Sequence, residues 1–365
     1  MNTEIVLVIV VSVVSAACAS WLIVMTRSVH GRFTLDSELS GKQKYHVKPV
    51  PRIGGIAFFI GMVIGGIYHG MQADSQLFLS KWAGVAALPV FLGGLLEDLT
   101  KNVSARNRLL LAFISAAIGY YELGIGLTTI GWPWFDDNML TQPGVALTVT
   151  IVMVGGVAHS TNIIDGFHGL LLGVSILVLS AFMYVTILAG GDYKLITYMG
   201  IMLGALIGSM LFNFPKGKIF MGDGGAYLVG FLLAVLALLM VRRFDNISPW
   251  FPLLALIYPV FETLFSIFRK RLLSRQPAMS PDSLHLHMLV YRHFGDSAGG
   301  ILCLNRNAAT SVVMWCMASL AIVPAVIWWD QTQVLQFLTI AYCLIYSLTY
   351  VWLAKKTYNC SLNLS

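Results

Sequence analysis

The sequence predicts an all-α polytopic membrane protein, and three observations carry that prediction. Of 365 residues, 57% are hydrophobic and 11% charged, with mean hydropathy +0.78. A soluble domain carries about 25% charged residues and needs polar groups to cover its surface. Apolar runs of membrane-spanning length recur along the whole chain. Lys and Arg residues fall almost entirely on alternate connections between those runs. Length alone suits about two domains, but the runs read as one helical bundle over residues 1–365. The 34 glycines fit close packing between membrane helices.

A spanning helix needs about 20 mostly apolar residues. Eleven stretches qualify, near 5–25, 54–71, 82–96, 109–123, 144–161, 169–189, 194–212, 225–241, 249–268, 308–329 and 334–354, the third and fourth being short. The first is not a signal peptide: Met1-Asn2-Thr3-Glu4 lacks positive charge, and the run from Ile5 to Met25 is too long for an h-region. It reads as an uncleaved span that begins outside. Alternation from there leaves Lys81, Lys194, Arg242 and Arg243 outside and the other 19 of the 23 basic residues inside. The positive-inside rule then sets a periplasmic N-terminus and a cytoplasmic C-terminus. Histidine, which has no part in that rule, follows the same side, with only His69 outside. The net charge of +6 is partly topology and partly attraction to anionic lipid, with no nucleic-acid partner expected. Cys18, Cys303, Cys316, Cys343 and Cys360 are odd in number and widely spaced, so neither a disulfide framework nor a zinc site is expected.

The inside connections hold the chemistry. The first carries Lys44, His46, Lys48 and Arg52 in a stretch stiffened by Pro49 and Pro51, then Gly54-Gly55 at the next helix. The second begins with Glu97-Asp98, followed by Arg106 and Arg108. Adjacent carboxylates at a membrane border are costly unless they meet positive charge, from a divalent cation or a basic partner. The third has no Lys or Arg and places Asn162 and Asp165 at i and i+3, on one face if the helix persists. A carboxylate and an amide beside a helix start suit magnesium and a sugar phosphate, although Asp165 capping the next helix explains it equally well. The fourth contains Asn213, Lys218 and Gly222-Asp223-Gly224-Gly225, a turn whose amides suit phosphate and whose acid suits a metal. The fifth, about 269–307, holds His285 and His287, one face of an extended segment, too few for zinc but sufficient as donors to a phosphate.

At these residues the chain resembles the polyprenyl-phosphate N-acetylhexosamine-1-phosphate transferases. This membrane superfamily includes enzymes that start O-antigen, enterobacterial common antigen and teichoic acid synthesis, and the peptidoglycan translocase. Matches run in family order over roughly 44–290. The Lys-x-His…Pro-x-Pro-Arg-x-Gly-Gly string falls on Lys44, His46, Pro51, Arg52, Gly54 and Gly55. The Asp-Asp pair falls on Glu97-Asp98, with a Glu first. Asn-x-x-Asp-Gly falls on Asn162, Asp165 and Gly166, and the next motif on Asn213, Pro215, Lys218 and Asp223. The histidine loop falls on His285 and His287, with Met288 in place of a third histidine. Two further departures are His168, where the family has an acid, and Glu262, where it has Asp. The histidine loop disfavours the peptidoglycan branch and suits the O-antigen-initiating type.

The resemblance implies transfer of HexNAc-1-phosphate, GlcNAc foremost, from a UDP-HexNAc to undecaprenyl phosphate, with UMP released. It implies magnesium, with manganese as a substitute, and a site facing the cytoplasm of a bacterial inner membrane. It implies catalytic roles for Asp98, Glu97 and Asp223, and metal ligation by Asp223 and Asp165. Substrate binding falls to Lys44, His46, Arg52, Asn162, His168, Asn213, Lys218, His285 and His287. A homodimer is compatible with this reading. The alternative from another class is a transporter or flippase, which places ionisable groups near the bilayer midplane on broken helices. Here the acids sit at helix ends. A CDP-alcohol-type phosphotransferase needs an Asp-Gly-x-x-Ala-Arg run, which Asp165-Gly166-Phe167-His168-Gly169 does not supply.

Overall fold

The computed structural model describes residues 3–36, 49–72, 78–273 and 284–362. It is a bundle of helices: α1 (Thr3–Met25), α2 (Arg27–Thr34), α3 (Gly54–Gln72), α4 (Phe78–Thr100), α5 (Ala105–Glu122), α6 (Pro133–Phe135), α7 (Pro143–Ile164), α8 (Leu170–Leu188), α9 (Tyr193–Asn213), α10 (Gly222–Arg243), α11 (Trp250–Ala255), α12 (Ile257–Phe268), α13 (Leu286–Leu302), α14 (Arg306–Ile327) and α15 (Thr332–Leu362). Short π-helical turns follow α6 and α12. A two-residue antiparallel ladder pairs β1 (Leu35–Asp36) with β2 (Val50–Pro51).

All eleven apolar stretches fall on helices. Among the described residues, eight helices are long and apolar enough to cross a membrane: α1, α3, α7, α8, α9, α10, α14 and α15. α5 carries Arg106, Arg108 and Glu122 within 18 residues. The stretch 249–268 is broken at Leu256 into α11 and α12. Pro259 explains the break. A proline ring clashes with the carbonyl four residues back, here Ala255, and offers no N–H to it. Part of the fifth inside connection, expected as loop, is instead helix α13.

α10 is the axis of the bundle. α3, α4, α5, α7 and α8 pack around it, and it is buried along almost its whole length. A helix apolar all round needs such a surround. At one end its entry is fixed by backbone pairing: Gly54 and Gly55 N–H groups donate to Phe220 and Met221 carbonyls at 2.8 Å, and Phe220 N–H donates to Pro51 at 2.9 Å. Small residues allow this approach. A Cβ at Gly94 on α4 would lie 2.5 Å from the Gly224 backbone.

Candidate active site

The start of α10 holds the site. A helix N-terminus has backbone N–H groups without intrahelical partners and a partial positive charge. Met221, in the N-cap position, makes no side-chain cap. Asp98, from the end of α4, takes over that duty: its two oxygens accept the N–H groups of Asp223 (2.8 Å) and Gly224 (2.9 Å). Asp98 is 3% exposed. Gly222 makes the turn with φ +70°, and a Cβ there would collide with the Arg52 carbonyl.

Asp223, in the first turn of α10, gathers groups from three other connections. Asn162 on α7 donates to its Oδ1 at 2.8 Å, and the Arg52 guanidinium lies 3.5 Å from the same oxygen. Arg52 also lies 3.6 Å from Asp98. Arg108, from the first turn of α5, pairs with Asp223 Oδ2. Behind it, the Arg108 guanidinium sits over the Tyr227 ring, whose hydroxyl meets His159 Nδ1 at 2.6 Å. Glu97 turns away from this centre and accepts the Val103 N–H at 2.7 Å, closing the turn after α4.

Asp165 closes α7 as its C-cap, with ψ +49°, so the helix does not persist to carry Asn162 and Asp165 along one helical face. Gly169, not Asp165, begins the next helix. Among the described residues nothing donates a hydrogen bond to the half-buried Asp165 carboxyl. Burial pushes Asp165 up to about 7, opposed by the charge of Arg52. Burial likewise pushes Asp98 up to about 8, opposed by Arg52 and the Gly224 N–H and reinforced by Asp165. Among the described residues no three His, Cys, Asp or Glu side chains could hold a metal by themselves. Magnesium does not need three: it is held through one or two carboxylates and completed by substrate phosphates and water. Asp165, whose carboxyl accepts no hydrogen bond from the described residues, and Asp223 suit that donor set.

The histidine pair lies across from the α7 cap. The His285 and His287 rings stack at 5.3 Å, both buried, and His287 Nε2 would stand 3.7 Å from a Cβ at Gly166. Asn213 is committed to the backbone: its Nδ2 donates to Ile219 at 2.7 Å and its Oδ1 accepts from Gly169. His168 packs on Phe220 and its Nδ1 lies 3.2 Å from the Pro215 carbonyl. Lys218 is exposed, with its ammonium 5.9 Å from the Phe212 ring. Lys44 and His46 lie outside the described residues.

The structure thus joins Arg52, Asp98, Asn162 and Asp223 directly, with Asp165 in electrostatic range. His285 and His287 stand beside Gly166, while Glu97, His168, Asn213 and Lys218 shape the surrounding turns. Arg108, His159 and Tyr227 join the site without having been singled out as site residues by the sequence. Arg108 was visible only as one of many cytoplasmic basic residues, and His159 only as one histidine on the shared side.

A family model for glycosyl transferase family 4 matches residues 82–241. The chain is 30% identical over 246 residues to the probable undecaprenyl-phosphate N-acetylglucosaminyl 1-phosphate transferase of Bacillus subtilis (strain 168), covering 67% of this chain and 66% of the relative. It is 30% identical to the decaprenyl-phosphate N-acetylglucosaminephosphotransferase of Mycobacterium tuberculosis (strain CDC 1551 / Oshkosh), over 66% of this chain and 65% of the relative. It is 29% identical to the undecaprenyl-phosphate alpha-N-acetylglucosaminyl 1-phosphate transferase of Yersinia pestis, over 68% of each. The match thus spans just under two thirds of the length of the first two relatives.

Proposed function

The chain belongs to glycosyl transferase family 4, and from that premise we propose that it transfers a HexNAc-1-phosphate from a UDP-HexNAc to undecaprenyl phosphate. UDP-GlcNAc is the donor put first, because the relatives named above are N-acetylglucosaminyl phosphate transferases. The product, an undecaprenyl-diphospho-sugar, would initiate a cell-envelope polysaccharide such as O-antigen. The reaction takes place at the cytoplasmic face of a bacterial inner membrane. One observation carries this reading: Arg52, Asp98, Arg108, Asn162 and Asp223, from four of the inside connections, converge at the start of α10.

In the reaction, an oxygen of undecaprenyl phosphate forms a bond to the sugar-linked phosphorus. The bond from that phosphorus to its bridging oxygen breaks, and UMP departs with the electron pair. Two anions must meet, so the protein supplies charge and fixed position rather than a covalent intermediate. Asp223 and Asp165 would hold magnesium, or manganese in its place, which would supply neutralisation of the diphosphate. Arg52 and Arg108 offer fork-shaped donors matched to phosphate oxygens. Asn162 orients the Asp223 carboxylate. Asp98 serves as a positioning group, because its oxygens are engaged by the α10 backbone; it aims Asp223 and steadies Arg52. Lys44 and His46 complete the anion-binding set, with His285 and His287 as donors to the diphosphate.

The test is turnover by purified protein with undecaprenyl phosphate and magnesium, across a panel of UDP-HexNAc donors. UMP release that requires the lipid, and stops on chelation of the metal, is the expected result. No UMP from any donor defeats the proposal.

A further inference from the structure

Glu262 is a buried acid inside the apolar helix α12, and no role described above uses it. It is 1% exposed. An acid held in such surroundings is costly unless paired and hydrogen-bonded. Its partners come mainly from the start of α13, with the Tyr346 hydroxyl of α15 also facing it. Oε1 accepts from His285 Nδ1 at 2.9 Å and from the Leu286 N–H at 3.1 Å. Oε2 lies 3.8 Å from His287 Nδ1. The Tyr258 hydroxyl, one turn earlier on α12, stands 3.4 Å from that same nitrogen.

This arrangement does two things. First, it caps α13 from a neighbouring helix: Leu286 is its first residue, and a carboxylate there satisfies an otherwise unpartnered N–H and suits the helix dipole. The His285-x-His287 register is thereby pinned. Second, it fixes which edge of each ring faces the bundle. An ionised carboxylate only accepts, so His285 Nδ1 carries its hydrogen toward Glu262. Both Nδ1 edges are turned to α12, and the Nε2 edges lie on the other side of the rings. For His287 that edge meets Gly166, next to the Asp165 cap, with Phe167 edge-on to the ring at 5.6 Å. The stacked planes, 6° apart, hold the two histidines as one unit.

We propose that Glu262 is a positioning residue that sets the tautomer of His285 and, through the stacked pair, the aim of His285 and His287 toward the Asp165–Gly166 turn, and so toward the donor diphosphate. The proposal rests on the transferase reading for its consequence, though not for its geometry. Glu262→Gln keeps an oxygen for the Leu286 N–H but loses the charge and the enforced tautomer. Its kcat/KM for the UDP-sugar falls about tenfold, the scale of losing a group that orients a histidine from behind. KM for undecaprenyl phosphate stays as in the parent. Glu262→Asp, which keeps the charge, recovers most of the loss.

A double-mutant cycle with His285→Ala separates aim from folding. If Glu262 acts through the histidine, adding Glu262→Gln to His285→Ala costs little further activity. The second readout is the nitrogen-15 spectrum of histidine-labelled protein in detergent, where the Nδ1-protonated form of His285 is expected in the parent and in Glu262→Asp and a tautomer mixture in Glu262→Gln. Unchanged spectra overturn the proposal, and so does parent-like kcat/KM in Glu262→Gln. Absence of UMP release by the parent defeats the transferase reading instead, and the spectra then decide the positioning alone.

Discussion

At the scale of residues, Asp223 is the point where positive and polar groups from three connections meet. Asp223→Asn removes the charge while preserving size. Transfer is expected to fall by about two orders of magnitude or more, as for loss of a preorganised electrostatic group, while thermal unfolding in detergent stays near that of the parent. Near-normal UMP release by this variant would remove Asp223 from the metal site. Asp98 and Asp165 make a second, independent prediction. Folding raises both above the ordinary carboxyl value of about 4, to about 8 and about 7. Between those values the folded protein binds more protons than the unfolded chain, so stability falls as pH rises. If Asp165 ligates magnesium as proposed, the metal binds its ionised form and opposes that fall. The unfolding midpoint with chelator should therefore decline from acid to mildly alkaline pH, and magnesium should restore it most at the alkaline end. A magnesium effect equal at both ends would count against Asp165 as its ligand. The acids were legible in the sequence because charge at the edge of an apolar run has no cheap explanation. Arg108 was not singled out, because basic residues on this side are already explained by topology.

At the scale of elements, the site depends on how α10 begins. Its helix is apolar enough to have been evident from the sequence, as was the glycine-rich turn before it. That the turn is capped from α4 by Asp98 was not, since a cap supplied 125 residues away leaves no local pattern. Gly222→Ala tests the element. The residue sits at φ +70°, and an added Cβ would collide with the Arg52 carbonyl and the Asp98 carboxylate. A strained left-handed residue costs about 1–3 kcal/mol, and the collision adds to it. Lowered thermal stability should accompany lost turnover; a fully stable, fully active variant would show that the turn is free to move. α13 illustrates the opposite case. Its first residues are buried, yet His287, Arg292 and His293 break the hydropathy signal, so the segment reads as loop. The break between α11 and α12 was also unread, although Pro259 announces it.

At the scale of the whole molecule, the carboxylates, the arginines and the histidine pair share one end of the bundle. The other end carries a different set, with Asp136 closing the turn after α5 through the Ile130 N–H at 2.8 Å and Arg243 paired with Asp192. Lys and Arg are concentrated on the end that holds the site, and by the positive-inside rule that end would be cytoplasmic. A nucleotide-sugar donor would be met there, and undecaprenyl phosphate would reach the same border from within the bilayer. Orientation is therefore a prediction in its own right, testable with single cysteines on a background where the native ones, of which Cys18, Cys303 and Cys316 are exposed, have been replaced. Asn102, in the turn after α4, and Asp245, after α10, are both exposed and lie at opposite ends. With a membrane-impermeant maleimide, Asp245→Cys should react in intact spheroplasts. Asn102→Cys should react only once the membrane is opened. The reverse pattern would place the carboxylate site on the outer face, away from any cytoplasmic nucleotide sugar, and would overturn the proposed reaction along with the topology.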